Sequence, residues 1–475
     1  MENKIDGIVI EQGPAAWTVL QHKNGFASMT LQGNWHLSKE YDPARLQAFA
    51  RVVLEASGEV VVAWQPCEMA PGQQWRIALN VPVGGLYRIE TCLRMRKDDP
   101  AMEWPVRGDM IHHVGVGDIW VIAGQSNAAG YGRGEYDDAP EMGVHMLRLN
   151  GRWDLATHPL NDPTDTMFPA NREWSNPAHS PFLKFGKLLK RSLGYPIGLL
   201  PAALGGSHLR SWNPEESGEL YRNMQAIVRH AGGSVRGVVW YQGCSDANVP
   251  ESGEAETYYD RFETFTNRLR EDLGDSALPI LTVQLNRLIG WETSDALDRC
   301  WGKVRDAQRR AAINIPGVGI VPSIDCRVCD NIHNGPIANR TIGERLADVA
   351  LKAVYGTSAR HGLAPNAIKA HVAVASESGD GGRAEIAVLF EDVKGHLLSH
   401  TKEDAFAVED AFGRIAVQAW RIEGPSEVRL VVDRLPQGDA FVHGAFETNP
   451  AYYVPFDDAT GWPMLSFYGL RIEGN

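Results

Sequence analysis

Five short apolar runs in the middle of the chain constrain its fold more than any other feature. They span residues 119–123, 196–201, 237–241, 279–285 and 317–321. Segments with helical spacing lie between or after them, and residues three or four positions apart share one face of a helix. The helical positions are Tyr258, Phe262, Phe265 and Leu269 in one segment and Ile342, Leu346, Val349 and Ala353 in another. Strands that alternate with helices predict an α/β domain whose mainly parallel sheet has helices on both faces.

Both ends of the chain carry patterns typical of β-strands. These patterns lie at residues 59–64, 75–81 and 86–93 in the first third and at residues 384–390, 415–420 and 427–432 in the last. Gly and Pro separate them, and one helical patch is predicted at residues 43–56. Because 475 residues are too many for one compact core, we predict a β-rich, jelly-roll or sandwich-like module at 1–112, the α/β domain at 113–357 and a second β-rich module at 358–475.

The charge and the start of the chain limit the partners that are expected. A formal net charge of −13 leaves no basic surplus to meet phosphates, so neither nucleic acid nor an anionic membrane is predicted as a partner. The sequence has no run of about eighteen apolar residues, so no membrane span is predicted. Its first residues lack a cationic region followed by an apolar one. We therefore predict no signal peptide and a cytoplasmic location, or secretion if such a segment has been lost.

The six cysteines are too few for a disulfide scaffold in a chain of this length. Cys326 and Cys329 form a CxxC pair, and His333 lies close to it in the sequence. A zinc site normally needs a second pair of ligands at suitable spacing, and the sequence offers none. Ordinary thiols are therefore favoured over a metal site.

Polar or glycine-rich residues follow each of the five apolar runs. In an open parallel sheet, ligands bind at the carboxyl ends of the strands. The segments found at these ends are residues 124–127, 203–208, 242–246, 286–287 and 325–333. One such segment could arise by chance, but five in succession indicate a functional site along this edge of the sheet.

Three residues at these ends have the chemistry of a nucleophilic site. Ser126 is predicted to lie on a tight turn that follows a buried strand. A serine becomes a nucleophile when a base takes its proton. Asp330 lies three residues before His333, where it can orient the ring and stabilise the imidazolium formed during proton transfer. Because histidine must be neutral to act as a base, we expect activity to rise through roughly pH 6–7.5.

Such a site also needs hydrogen-bond donors for the oxyanion that develops during acyl transfer. The backbone N–H of Ser126 is one candidate. The N–H of Gly205 or Gly206 is a second, since glycine lets the backbone approach a ligand closely. The side-chain amide of Gln242 is a third, although this amide could instead satisfy buried backbone groups.

Other residues at the strand ends are candidates for contact with a substrate. These candidates are Gln125, Asn127, Gly205, His208, Trp212 and Asn286. His208 is also a rival for the role of base, and Tyr131, Trp174 and Trp291 lie near the same ends by sequence alone. A purely structural alternative stays open for Ser126, which could cap a helix.

Together these residues resemble the SGNH hydrolase superfamily and, more narrowly, its sialate O-acetylesterase and acetylxylan-esterase-like carbohydrate esterases. The resemblance rests on residues 124–127, 205–206, 240–243, 245–246, 283–285, 305–308 and 330–333. It implies a flavodoxin-like, three-layer α/β/α domain with a mainly parallel sheet. It also implies that N- and C-terminal modules similar to β-sandwiches flank this domain.

The resemblance further implies an esterase that removes O-acetyl groups from a carbohydrate through an acyl-enzyme, with no metal and no cofactor. Ser126 takes the position of the nucleophile, His333 that of the general base and then acid, and Asp330 that of the residue that orients His333. The N–H groups of Ser126 and Gly206 and the amide of Gln242 then form the oxyanion hole. The expected partner is an acetylated carbohydrate, whose identity the sequence does not reveal, and the oligomeric state is left open.

Two positions depart from the pattern of this family. Many relatives carry Glu where Cys244 stands, and some are thought to use that Glu as the acid of the triad, so this role falls to Asp330 here. Relatives also often have Pro after the histidine, where this chain has Asn334.

Two alternatives remain open, an SGNH lipase or arylesterase that acts on other acyl groups and a glycan-binding protein without catalysis.

Overall fold

A computed structural model describes residues 6–38, 42–95, 106–173, 175–290, 292–357, 363–375, 384–400 and 404–474. Trp174 and Trp291, two of the aromatic residues near the strand ends, lie outside this part of the chain. Within it, a group of strands is followed by alternating strands and helices and then by a second group of strands.

The first group of strands forms two sheets that pack on one core. Its strands are β1 (Gly7–Gln12), β2 (Val19–Gln21), β3 (Phe26–His36), β4 (Leu46–Leu54), β5 (Val60–Pro66), β6 (Glu68–Ala70), β7 (Gln74–Pro82), β8 (Gly84–Met95) and β9 (Val106–Gly124). One sheet has the order β1-β3-β7-β6, and the other joins β5, β4, β8, β9 and β2. Leu31, Val52 and Ile89, which come from both sheets, are buried in the shared core. We call this part the N-terminal sandwich.

The helical patch predicted at residues 43–56 is wrong. A short 3-10 turn at Pro43–Arg45 leads into strand β4, which pairs with β5 and β8. Leu46, Ala48, Ala50 and Val52 are buried at every second position, which is the period of a strand with one face on the core. The run also contains good helix formers, and here the pairing with two neighbouring strands decides the outcome.

The central elements alternate between strands and helices. They are α1 (Ser126–Ala129), β10 (Val144–Leu147), β11 (Trp153–Leu155), α2 (Phe182–Leu193), β12 (Ile197–Pro201), α3 (Glu219–His230), β13 (Gly237–Tyr241), α4 (Cys244–Ala247), α5 (Glu254–Leu273), β14 (Ile280–Val283), α6 (Asp295–Asn314), β15 (Val318–Val321) and α7 (Pro336–Ala353). The strand order is β11-β10-β12-β9-β13-β14-β15, and all these strands are parallel except β11.

Helices cover this sheet on both faces. Every residue of β12 and β13 is buried, and the helices form two pairs, α2 against α7 and α5 against α6. All five predicted strands are present, as the last part of β9 and as β12, β13, β14 and β15. The prediction of an α/β domain is confirmed, whereas β10 and β11 were not predicted.

Strand β9 runs through both the N-terminal sandwich and the central sheet. Residues 106–116 pair with β8, and residues 118–124 pair with β12 and β13. The boundary predicted between residues 112 and 113 therefore falls inside a continuous strand. The N-terminal sandwich therefore continues, without an intervening linker, into the part of β9 that ends just before the candidate nucleophile Ser126.

The last group of strands forms a curled sheet. Its strands are β16 (Asn366–Ala375), β17 (Ala384–Glu391), β18 (Leu397–Leu398), β19 (Phe406–Asp410), β20 (Gly413–Ile415), β21 (Val417–Glu423), β22 (Glu427–Val432), β23 (Phe441–Gly444), β24 (Phe456–Asp457) and β25 (Phe467–Glu473). Eight of them have the order β20-β19-β23-β25-β16-β17-β22-β21, and β18 pairs with β24. Phe406 and Trp420, near opposite edges of this sheet, lie 5.5 Å apart between ring centroids, so the sheet closes around its own core.

The curled sheet is anchored to the central domain through helix α6. Arg305 of α6 is buried and donates hydrogen bonds to the carbonyl oxygens of Ala445 and Phe446 at 3.3 and 3.0 Å. Among the described residues, no helix combines the length and the apolar character needed to cross a membrane.

Candidate active site

Ser126 stands where β9 ends and the chain turns into the short helix α1. Gly124 makes this turn possible, since its φ is +130° and an added Cβ would lie 2.2 Å from the carbonyl oxygen of Tyr241. The N–H of Gln125 donates to the same oxygen at 3.0 Å. The hydroxyl of Ser126 contacts His333 and does not cap the helix, so the capping alternative is wrong.

We expect Gly124→Ala to destabilise the fold by at least about 3 kcal/mol, because its methyl group would meet backbone atoms at an unfavourable φ. The measurement is the shift of the guanidinium unfolding midpoint of the purified variant. Gly206→Ala is the matched control, since Gly206 also has a positive φ, +69°, but an added Cβ there meets no atom within 4 Å. Equal destabilisation by both substitutions would contradict the steric argument.

Ser126, His333 and Asp330 form a continuous hydrogen-bonded relay. Nε2 of His333 lies 2.8 Å from Oγ of Ser126, and its Nδ1 lies 2.7 Å from Oδ2 of Asp330. Asp330 and His333 belong to the loop between β15 and α7, which meets the end of β9 here. The structure thus brings together the three residues that the sequence singled out, at distances suited to proton transfer.

The surroundings of Asp330 favour its charged form. Partial burial opposes the charge, but the N–H groups of Ile332 and His333 donate to Oδ1 at 2.9 and 2.7 Å, and the His333 ring donates to Oδ2. These hydrogen bonds hold the pKa of Asp330 below its usual value. Because an ionised Asp330 accepts the Nδ1–H of His333, Nε2 is left to accept the proton of the Ser126 hydroxyl.

Asn127 and Asn286 hold the histidine loop and do not face a substrate. Asn127 donates to the carbonyl oxygen of Ile332 at 3.2 Å and accepts from the N–H of Asn334 at 3.0 Å. Asn286 donates to the same carbonyl and to the side-chain oxygen of Asn334. Both side chains are buried, so the prediction that they contact substrate is wrong. They position the loop that carries His333.

Gln125 and Trp212 are also buried, and the predicted substrate contacts are wrong for both. The side-chain oxygen of Gln125 accepts the N–H of Gly243 at 2.9 Å, which ties the ends of β9 and β13 together. The ring of Trp212 packs against that of Trp240, 5.2 Å between centroids, and its N–H donates to Ser207. These two residues shape the core beneath the site.

Two of the three predicted oxyanion donors are available, and one is not. The amide nitrogen of Gln242 is buried and donates to the carbonyl oxygen of Ser207 at 3.0 Å and to the carboxylate of Asp246. The role predicted for Gln242 is therefore wrong, because its donor is already used. The N–H groups of Ser126 and Gly206 have no hydrogen-bond partner within the part of the chain that the structure describes, and their role in an oxyanion hole stays a prediction.

A carboxylate that the sequence did not reveal holds the turn that carries Gly206. Both oxygens of Glu173 accept the N–H of Gly205 at 3.1 Å, so this N–H serves Glu173 and not a ligand, against the substrate contact predicted for Gly205. Glu173 also accepts the hydroxyl of Tyr131 at 2.7 Å, and the Tyr131 ring lies 5.1 Å from that of His333. Burial raises the pKa of Glu173, and its hydrogen bonds partly offset this.

His208 follows the same turn but stands apart from the relay. Its Nδ1 lies 2.7 Å from Oε2 of Glu254, and its ring is partly exposed. The base that contacts the Ser126 hydroxyl is His333, so His208 does not fill the role of rival base. A contact between His208 and substrate stays a prediction.

Two clusters among the described residues have the side chains to bind a metal ion. They are Asp138 with His158 and His179, and His208 with Asp246 and Glu254. Each cluster already contains a cation of the protein. Nζ of Lys187 lies 2.5 Å from Asp138, and Arg261 lies within 4.0 Å of both Asp246 and Glu254. A metal ion in either cluster would be repelled by these charges, so we assign neither a metal role.

Cys244 and Cys326, two of the cysteines near the site, are buried free thiols. Burial raises the pKa of Cys244 and of Cys326 to about 12, so neither is a thiolate at neutral pH. Cys244 therefore offers no negative charge in place of the glutamate of relatives. Asn334, the second departure, donates through its side chain to the hydroxyl of Tyr241 at 2.7 Å, a bond that proline could not make.

A family model described as "Carbohydrate esterase, sialic acid-specific acetylesterase" matches residues 116–352. This range includes Ser126, Asp330 and His333. The chain belongs to this carbohydrate esterase family. The predicted resemblance and the prediction of an esterase are confirmed.

Curated relatives of this carbohydrate esterase match up to about half of its length. An Arabidopsis thaliana protein named "Probable carbohydrate esterase" is 29% identical over 256 residues, which are 49% of this chain and 90% of that protein. Human sialate O-acetylesterase is 22% identical over 237 residues, which are 42% of this chain and 44% of the human protein. The match thus spans less than half the length of the human relative.

The carbohydrate esterase also shares its fold with a solved structure over nearly its whole length. A carbohydrate acetylesterase from Xanthomonas citri superposes with a TM-score of 0.60 at 22% identity, and the match covers 95% of this chain and 97% of that one. Both β-rich ends are therefore part of a shared architecture and not separate additions to this chain.

Proposed function

We propose that this carbohydrate esterase releases acetate from an acetylated sugar or polysaccharide through an acyl-enzyme on Ser126. The observation that carries the proposal is the relay from Ser126 through His333 to Asp330, with contacts of 2.8 and 2.7 Å. The names of the human sialate O-acetylesterase and of the Xanthomonas citri carbohydrate acetylesterase support acetate as the acyl group. They also support a sugar as the alcohol.

Each residue of the relay has one task in this reaction. Oγ of Ser126 attacks the acetyl carbon while Nε2 of His333 takes the hydroxyl proton, and Asp330 stabilises the imidazolium that forms. The imidazolium then donates its proton to the sugar oxygen as the bond between that oxygen and the acetyl carbon breaks. Water, deprotonated by His333, attacks the acetyl group on Ser126, and acetate leaves as the serine recovers its proton.

The N–H groups of Ser126 and Gly206 stabilise the negative charge on the tetrahedral intermediates. One donor of this kind typically contributes roughly 3 kcal/mol to the transition state. This assignment uses two backbone donors and no side-chain amide. The turn that carries Gly206 is fixed to the end of β9, since the N–H of Leu204 donates to the carbonyl oxygen of Gly124 at 3.0 Å.

We expect Glu173→Gln to lower kcat by about 10- to 100-fold and to change KM little, because it displaces the turn that carries Gly206. One of the two oxygens that meet the Gly205 N–H becomes an NH2 group, which is itself a donor. Steady-state kinetics on a chromogenic acetate ester measure the effect. Tyr131→Phe, which keeps both oxygens of Glu173, should lower kcat less than Glu173→Gln does. A raised KM with an unchanged kcat in Glu173→Gln would contradict the proposed positioning role.

The proposed function is tested by measuring acetate release from acetylated xylan, xyloglucan, pectin and sialic acid, beside esters with longer acyl chains. We expect at least one acetylated carbohydrate to be hydrolysed faster than any long-chain ester. Faster hydrolysis of the long-chain esters would instead support the lipase or arylesterase alternative. Binding of an acetylated carbohydrate without hydrolysis would support a glycan-binding protein.

We also assign the central domain to the flavodoxin-like, three-layer α/β/α class and to the SGNH fold. The order β12-β9-β13-β14-β15 corresponds to 2-1-3-4-5 when these five strands are numbered along the chain, which is the flavodoxin-like order. Strands β10 and β11 extend the sheet beyond β12. The helix pairs α2–α7 and α5–α6 supply the two outer layers.

A further inference from the structure

A cleft on the N-terminal sandwich gathers four arginines. Its volume is about 550 Å³, and its lining comes from β4, β5, β8 and β9. The charged residues that line it are Arg51, Arg88, Arg94, Arg107 and Glu90. Among the described lining residues Glu90 is the one acid, so the cleft has an excess of positive charge in a chain whose net charge is −13. Unbalanced cations in a concave wall create a field that attracts anions.

The strand register explains why these residues share one surface. Arg88, Glu90 and Arg94 are separated by even numbers of residues along β8 and so project from the same face. Arg51 of β4 lies directly across from Glu90, and Arg107 stands on the neighbouring strand β9. The opposite face of β4 and β8 packs into the core of the sandwich. The arginines therefore occupy the outer face of this sheet.

Three of the four guanidinium groups in the cleft, those of Arg51, Arg88 and Arg94, are already held in place. Arg51 and Arg88 each lie 2.6 Å from a different oxygen of Glu90. The guanidinium carbons of Arg51 and Arg94 lie 4.6 and 5.2 Å from the ring centroid of Trp64, a distance at which cation–π attraction acts. A preorganised guanidinium loses little side-chain freedom when it binds a ligand.

We infer that this cleft binds the carboxylate groups of an acidic oligosaccharide, such as one built from uronic acids. A planar guanidinium binds a carboxylate through two parallel hydrogen bonds, which make the interaction strong and fix the relative orientation of the two groups. Carbohydrate is the class of molecule on which the family of this chain acts. None of the residues that line the cleft belongs to the Ser126 site, so the inference goes beyond the proposed function and does not depend on it.

Calorimetric titration of the full chain with an unacetylated oligogalacturonide tests the inference. We expect the acidic oligosaccharide to bind at least about ten times more tightly than a neutral xylo-oligosaccharide of equal length, and less tightly as salt is added. Equal affinity for the two oligosaccharides would overturn the inference. Inorganic phosphate that binds as tightly as the oligogalacturonide would overturn the assignment to an acidic sugar.

Substitutions locate the binding to the cleft. Arg107→Gln, at an exposed position, and Arg94→Gln should each weaken binding by about tenfold, the loss typical of one charge-assisted hydrogen bond. Arg76→Gln is the matched control, since Arg76 is exposed on β7 in the other sheet of the same sandwich. Ser126→Ala should bind as wild type does. Unchanged affinity in both cleft variants, or an equal loss in Arg76→Gln, would overturn the inference.

Discussion

Replacing Ser126 by alanine is expected to lower kcat for an acetylated carbohydrate by about 10⁵-fold or more, because no acyl-enzyme can form without the hydroxyl. The relay makes the prediction specific, since Nε2 of His333 lies 2.8 Å from this Oγ. Acetate release at saturating substrate measures the effect. Substrate binding should change little, as the substitution removes one atom from a buried position.

A second serine serves as the control for the Ser126 prediction. Ser217→Ala removes a hydroxyl from an exposed loop, where it donates to the carbonyl oxygen of Arg210 at 3.0 Å, and its activity should equal that of the wild type. Retention of more than a few per cent of the wild-type rate in Ser126→Ala would rule out Ser126 as the nucleophile, provided that the variant unfolds at the same temperature as the wild type.

Asp330→Asn is expected to lower kcat by about 10³- to 10⁴-fold while the loop keeps its shape. The amide oxygen of asparagine can still accept the N–H groups of Ile332 and His333, as Oδ1 does now. Its NH2 group, however, would face Nδ1 of His333 as a donor. The ring would then carry its proton on Nε2, and Nε2 could no longer accept the proton of Ser126.

Asp275→Asn is the matched control for Asp330, because Asp275 also accepts an N–H two residues ahead, that of Ala277 at 3.0 Å. Asp275 is exposed at the end of α5, so this substitution should leave kcat unchanged. The comparison is made by measuring kcat of the wild type, Asp330→Asn and Asp275→Asn in stopped assays from pH 4 to 9. An Asp330→Asn variant with wild-type kcat would contradict the tautomer argument.

The pH dependence of the wild type separates the two partners of the relay. A carboxyl whose pKa is lowered stays ionised at every pH above that value, and the pKa of Asp330 lies below its usual value. Loss of activity as the pH falls through the range of roughly 7.5 to 6 would therefore report protonation of a group other than Asp330. A rate that stays constant down to pH 4 would contradict a histidine base.

The sequence was sufficient to find the relay because each of its parts is local. A serine after a buried run and an aspartate three residues before a histidine are short patterns, and the parallel sheet brings strand ends to one edge. The central strands were predicted for the same reason, since runs buried on both faces read as continuous apolar segments. Patterns of this kind need no knowledge of distant contacts.

The wrong predictions and the missed residue have the opposite cause, because they depend on contacts between distant parts of the chain. Gln242 and Trp212 lie next to the site in sequence, but their hydrogen bonds go to Asp246 and Ser207, which only the folded chain reveals. Glu173 was missed because it lies in an irregular segment with no motif around it. Its importance comes from its contacts with Gly205 and Tyr131, which are distant in the chain.

The continuity of β9 limits how this enzyme can be shortened or recombined. A fragment that began at residue 113 would start in the middle of that strand and would expose Val114 and Val116, which are now buried in the core of the sandwich. It would also lose most of the pairing between β8 and β9, which holds the strand that leads to Ser126. A minimal hydrolytic fragment should therefore keep the first 124 residues. An exchange of amino-terminal modules between relatives should likewise transfer these residues together.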